Sequence, residues 1–145
     1  MLMPKKTKYR RVHRGRMKGL SKGALEVFFG EFGLRAEEPA WVTAQQIEAM
    51  RVTLSRRLKK IGKFYLRVFP SKPVSKKPAE TRMGKGKGGL DHWVSVVKRG
   101  RVICEISGVN EQDAKKILKS VTYKLPIKTR FVKKNIGGDY ENETV

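Results

Sequence analysis

The 145-residue chain has one cysteine, Cys104, and two histidines, His13 and His92. A single thiol closes no internal disulfide, and these three side chains fall short of a structural zinc ligand set. Acid is also scarce, with 13 Asp plus Glu against 34 Lys plus Arg. No apolar run approaches the roughly 20 residues that span a bilayer. The basic start continues through Lys18 without the apolar stretch of a secretory signal. Residues 1–25 hold no acid, as in a transit peptide, but such peptides are Ser-rich and here only Thr7 and Ser21 carry aliphatic hydroxyls. No carboxylate pair sits in an apolar setting that would tune it for acid–base work. Cys104 lies between Ile103 and Glu105 with no basic activator nearby, so it reads as a packed thiol. His92 beside Trp93 reads as a polar strand-end residue. No catalytic residue, metal or cofactor is expected.

What is present is positive charge. The net charge is +21 and the sequence pI about 10.5, whereas a small soluble domain ordinarily carries about 2–8 charges of either sign. Self-repulsion on that scale opposes a compact fold unless a polyanion screens it. The chain is nevertheless 39% apolar, enough to bury a core.

Three regions follow from composition. Residues 1–24 are a basic arm carrying Lys5, Lys6, Lys8, Arg10, Arg11, His13, Arg14, Arg16 and Lys18, interrupted by Gly15 and Gly19. The arm lacks periodicity, so it is expected to be extended and to order on nucleic acid. Residues 25–133 read as one α+β domain, and residues 134–145 as a mildly acidic tail. Within the domain, 25–35 reads as a strand bent at Gly30 and Gly33, whose Phe28, Phe29 and Phe32 are expected in the core rather than stacked on bases. Thr43-Ala-Gln-Gln46 is a capping box opening a helix. Ile47, Met50, Leu54, Leu58 and Ile61 line its inner face, and Gly62 ends it. Arg56, Lys59 and Lys60 on its outer face suit the helix dipole and are also placed to meet RNA.

Phe64–Phe69 reads as a strand ended by Pro70. The stretch 71–90 reads as a long loop with short extended pieces around Val74 and Thr81. Trp93–Val97 and Arg101–Ile106 suggest a hairpin turning at Arg99-Gly100. Asn110 caps a second helix whose Ala114, Ile117, Leu118 and Val121 face inward. Ile127–Val132 alternates as a last strand.

Gly84-Lys-Gly-Lys-Gly-Gly89 matches the dinucleotide fingerprint in letters alone. That motif needs a strand before it and a helix after it, whereas here a Pro-bearing loop precedes and a strand follows. A phosphate-binding P-loop fails too, because no Ser or Thr follows the lysine. Arg82-Met83-Gly84-Lys85-Gly86-Lys87 is therefore read as a pliable basic loop that approaches phosphates closely. An ordinary mobile hairpin loop is the plainer alternative.

These residues together resemble the L-sixteen family of large-subunit ribosomal proteins. The resemblance rests on Pro4–Gly19, Phe29-Gly-Glu-Phe-Gly-Leu-Arg-Ala36, Thr43–Ala49, Arg67-Val-Phe-Pro70, Arg82–Gly88 and Leu125-Pro-Ile-Lys-Thr129, all in family order. It implies two helices packed on a mixed, barrel-like sheet, with a basic arm and a long glycine loop. It further implies a structural, non-enzymatic constituent of the large subunit, with rRNA, tRNA and neighbouring ribosomal proteins as partners. Neither a membrane nor a homo-oligomer is implied. On that resemblance Lys5 to Lys18 anchor in rRNA. Arg82, Met83, Gly84, Lys85, Gly86 and Lys87 form the tRNA side near the peptidyl-transferase centre. Ser71 departs from the family's usual Asp, and the tail beyond Lys134 outruns the usual end. Glu38-Pro-Ala-Trp-Val-Thr43 is similar to plastid and cyanobacterial members, so a plastid ribosome is favoured, with mitochondrial and bacterial ones the alternatives. The rivals from other classes are an RNA-modifying enzyme that uses the glycine loop for a nucleotide, and a free nucleic-acid-compacting protein.

Overall fold

The structure, a computed structural model, describes residues 1–135 and the backbone of Asn142–Glu143. Eight strands and two helices are described: β1 Phe32–Ala36, β2 Ala40–Thr43, α1 Ala44–Leu58, β3 Lys63–Leu66, β4 Lys72–Lys76, β5 Gly89–Val97, β6 Val102–Ser107, α2 Glu111–Thr122, β7 Thr129–Lys133 and β8 Asn142–Glu143. The strands form two sheets, ordered β3-β6-β1-β7-β8 and β2-β5-β4. The α+β class is as expected. Every pairing between these strands is antiparallel, however, so the sheet is two open layers rather than one mixed sheet, and "barrel-like" holds only loosely.

Both helices start where their caps place them. Thr43 accepts a hydrogen bond from the Gln46 N–H at 3.2 Å, and Gln46 Oε1 accepts from the Thr43 N–H at 3.0 Å. Asn110 Oδ1 accepts from the Asp113 N–H at 2.8 Å. Ile47, Met50, Leu54 and Leu58 of α1 are fully buried with Leu118 and Val121 of α2. The helices pack on each other; α1 also touches β2, β3 and β5 while α2 covers β1 and β7, so α1 bridges the two sheets. Thr43→Ala removes one cap and should destabilise the fold by about 1 kcal/mol. Thermal unfolding beside the wild type measures this, and an unchanged midpoint would refute it.

The inner stripe of α1 ends earlier than its spacing suggests. Lys59 adopts φ 48° and turns the chain out of the helix, leaving Ile61 74% exposed. Gly62 serves a different purpose from a helix stop: a Cβ there would stand 2.5 Å from the Ser107 carbonyl oxygen, so the glycine lets β3 approach β6.

The expected hairpin at Arg99-Gly100 does not form. β5 belongs to the small sheet and β6 to the large one, and residues 98–101 carry the chain between them. β6 already pairs with β1 on one side and β3 on the other, which leaves no edge for β5. The loop expected over 71–90 also shrinks. β4 runs through Val74 and pairs with β5, although Pro73 lies within it. An edge strand tolerates a proline, because its outward N–H has no ladder partner to lose. Thr81 is not extended; its N–H bonds back to the Pro78 carbonyl at 3.1 Å in a turn.

Residues 24–31 are likewise not a strand. They lie over the large sheet, where Val27 packs with Val102 and Val132. Phe32 packs against the core, its ring stacked on Phe131 at 5.6 Å, but Phe28 and Phe29 are exposed. The aromatic expectation therefore holds for one of the three rings.

Candidate nucleic-acid interface

The glycine loop is the tip of a ribbon. β4 and β5 pair until Lys76 faces Gly89, and the chain between them projects beyond the sheet. At its base, a Cβ on Gly88 would lie 2.6 Å from the Lys76 carbonyl oxygen, so the two limbs close only around a glycine. Gly84, Lys85 and Gly86 then follow with φ of 103°, 60° and 88°. Lys77 Nζ donates to the Gly84 carbonyl at 2.6 Å and steadies that turn. Arg82, Met83, Lys85 and Lys87 are all exposed, Met83 completely. This is the backbone and charge pattern that lets a loop approach a phosphate chain closely.

The arm is not remote from this ribbon. Lys87 Nζ donates to the Val12 carbonyl at 2.5 Å, and Lys72 Nζ donates to the Arg14 carbonyl. Farther along, the Ser21 N–H bonds the Arg99 carbonyl at 2.9 Å, and Leu20 bridges to Arg99. Leu2 packs against the core at the arm's other end. Trp41 of β2 sits beneath two cations, with Lys72 Nζ 4.8 Å and the Arg14 guanidinium 5.6 Å from its ring. Burial, and then the charges of Lys87 and Arg14, push the Lys72 ammonium below the usual lysine range.

Arm and loop thus share one cation-rich face in which Arg14, Lys72 and Lys87 crowd together. Lys5, Lys6, Lys8, Arg10, Arg11, His13, Arg16 and Lys18 of the arm are all exposed. Arg56, Lys59 and Lys60 are exposed at the end of α1. Adjacent Arg57 belongs with them by exposure and charge.

Sequence reasoning passed over Lys72, Lys77 and Trp41. A lysine on each side of a proline-bearing edge strand was the available signal, hidden because the segment read as loop. It also missed Glu105, whose side chain is fully buried. Glu105 accepts from the Phe28, Phe29 and Gly30 N–H groups at 3.1, 2.6 and 2.8 Å, and from Arg67 Nη1 at 2.5 Å. Its neighbour Cys104 is equally buried, which pushes the thiol up to about 12 and leaves no thiolate near neutral pH.

Two comparisons bear on this arrangement. Residues 4–132 match the family described as Ribosomal protein L16p/L10e. The chain is 57% identical over 140 residues to the large ribosomal subunit protein uL16 of Pseudothermotoga lettingae, covering 96% of this chain and 99% of that protein. It is 52% identical over 144 residues to the uL16 of Heliobacterium modesticaldum, covering 99% and 100%.

Proposed function

The chain belongs to the L16 family of large-ribosomal-subunit proteins, and from that premise we propose that its arm and glycine loop form one rRNA-directed surface whose tip reaches towards aminoacyl-tRNA near the peptidyl-transferase centre. As a structural constituent of the large subunit, the protein associates there with rRNA and other ribosomal proteins. The observation that carries the finer reading is the joining of Lys87 and Lys72 to the arm carbonyls of Val12 and Arg14. That joining gathers cations on one face, and phosphates are their natural counter-charge. Neutralising phosphates fixes RNA in place without tuned acids or bases. The arm and domain make the rRNA contacts, the loop tip makes the tRNA-side contact, and one copy acts per particle. The particle is a bacterial-type ribosome, of a plastid, a mitochondrion or a bacterium.

Replacing Arg82 and Lys85 with Ala separates the two roles, because both are exposed at the tip while Lys87 also holds the arm at Val12. Aminoacyl-tRNA accommodation should fall by about 10- to 150-fold for each phosphate left without its cation, since a hydrogen bond to a charged group contributes roughly 1.5–3 kcal/mol. Incorporation into subunits should change little. Normal accommodation with failed assembly would contradict the assignment.

A further inference from the structure

Phe28 and Phe29 are 70% and 54% exposed, although burying a phenylalanine is worth about 1.5–3 kcal/mol. The fold does not leave them loose. Three successive N–H groups, of Phe28, Phe29 and Gly30, end on the buried Glu105 carboxylate, which Arg67 also binds. Gly30 is required at that point, because a Cβ would lie 2.6 Å from the Ile106 carbonyl oxygen. The rings are ordered as well. Phe28 meets Phe29 edge to face at 5.1 Å, Phe29 stacks on Tyr65 at 5.7 Å, and the Arg67 guanidinium lies 5.0 Å from the Phe29 ring. A buried carboxylate is thus used to hold aromatic faces out towards solvent.

We propose that Phe28 and Phe29, backed by Tyr65 and Arg67, are a stacking platform for unpaired bases of rRNA. The proposal rests on the RNA-binding reading above and adds a second contact chemistry to it. Aromatic faces stack on any base, and a guanidinium can stack beside them. The net charge of +21 supplies the general attraction for the RNA that carries the base. Glu105 is a positioning residue in this arrangement, since it sets the backbone of the rings without meeting the base.

The test uses the full chain with two probes, a single-stranded oligoadenylate and an RNA duplex of equal length. Phe28→Ala with Phe29→Ala should weaken oligoadenylate binding by about 5- to 100-fold per stacked base. Duplex affinity and the salt dependence of binding should stay unchanged. Phe29→Trp should retain binding and Phe29→Leu should lose it. Unchanged oligoadenylate affinity in the double variant would overturn the platform. So would an equal loss on both probes, because paired bases offer no free face. Leu performing as well as Phe would also overturn it, marking an apolar patch for a neighbouring protein. If the wild type bound neither probe, the RNA-binding reading itself would fail.

Discussion

Glu105→Ala should destabilise the domain by about 3–5 kcal/mol, the effect of removing one partner from a buried ion pair and stranding the other. Arg67 loses its carboxylate, and the N–H groups of Phe28, Phe29 and Gly30 lose their acceptor. Against a total stability of about 5–15 kcal/mol, that is a large fraction. Glu105→Gln keeps the shape but turns an amide NH2 towards at least one donor, so a smaller loss of about 1–3 kcal/mol is expected. Urea unfolding in moderate salt, which screens the net positive charge, measures both. A change under about 1 kcal/mol for the Ala variant would show that the carboxylate does not hold the segment.

The same group sets an acid limit. Burial alone would raise the Glu105 carboxyl, but hydrogen bonds from Gly30, Phe28, Arg67 and Phe29 outweigh burial and hold it below its ordinary 4.5. A depressed folded-state value means the stabilisation is fully present above about pH 4.5 and drains away as pH falls through the lower folded value. The wild type should therefore lose stability below pH 4.5 more steeply than Glu105→Gln, which has no proton to take up there.

Why Glu105 escapes a reading of the sequence is instructive beside what does not. The starts of α1 and α2 are decided within four residues, by Thr43 with Gln46 and by Asn110 with Asp113, and so are legible. The carboxylate of Glu105 reaches partners more than 70 positions away, and no local pattern encodes such a bond. Phe28 and Phe29 follow from it: aromatics are expected inside, and only the distant latch turns them outward. The division into two sheets is hidden for a related reason. Trp93–Val97 and Arg101–Ile106 look like neighbours across a glycine turn, but β1 and β3 outcompete β5 for the edges of β6. Of the candidate interface, the cations of the arm and loop were legible as composition. Their meeting at Val12 and Arg14 was not, because it depends on where the β4–β5 ribbon folds back.

Deleting residues 1–18 is the second change with a large expected effect. It removes Lys5, Lys6, Lys8, Arg10, Arg11, Arg14, Arg16 and Lys18 together with the carbonyls that hold Lys72 and Lys87. Each neutralised phosphate contributes about 0.7–0.9 to the slope of log affinity against log salt, by rules drawn from DNA. If most of these cations meet phosphates, the slope should flatten by roughly five or six. Affinity for large-subunit rRNA at about 0.1 M salt should then drop by roughly three decades or more. Leu2 also packs on the core, so a companion variant with those eight bases changed to Gln keeps the chain length and packing while removing the charge. It should show the same flattened slope. An unaltered slope in either variant would mean that the arm is a solvated tail.

Whether the excess charge is built into an arm and loop that hold this chain in the large subunit is tested most directly by sedimentation. Large subunits assembled with the full chain, the Gln-substituted arm or the truncated chain are washed through increasing salt, and the retained protein is counted per particle. The full chain should remain at one copy per subunit through moderate salt while both arm variants wash off early. Arm variants retained as firmly as the full chain would contradict that role for the charge.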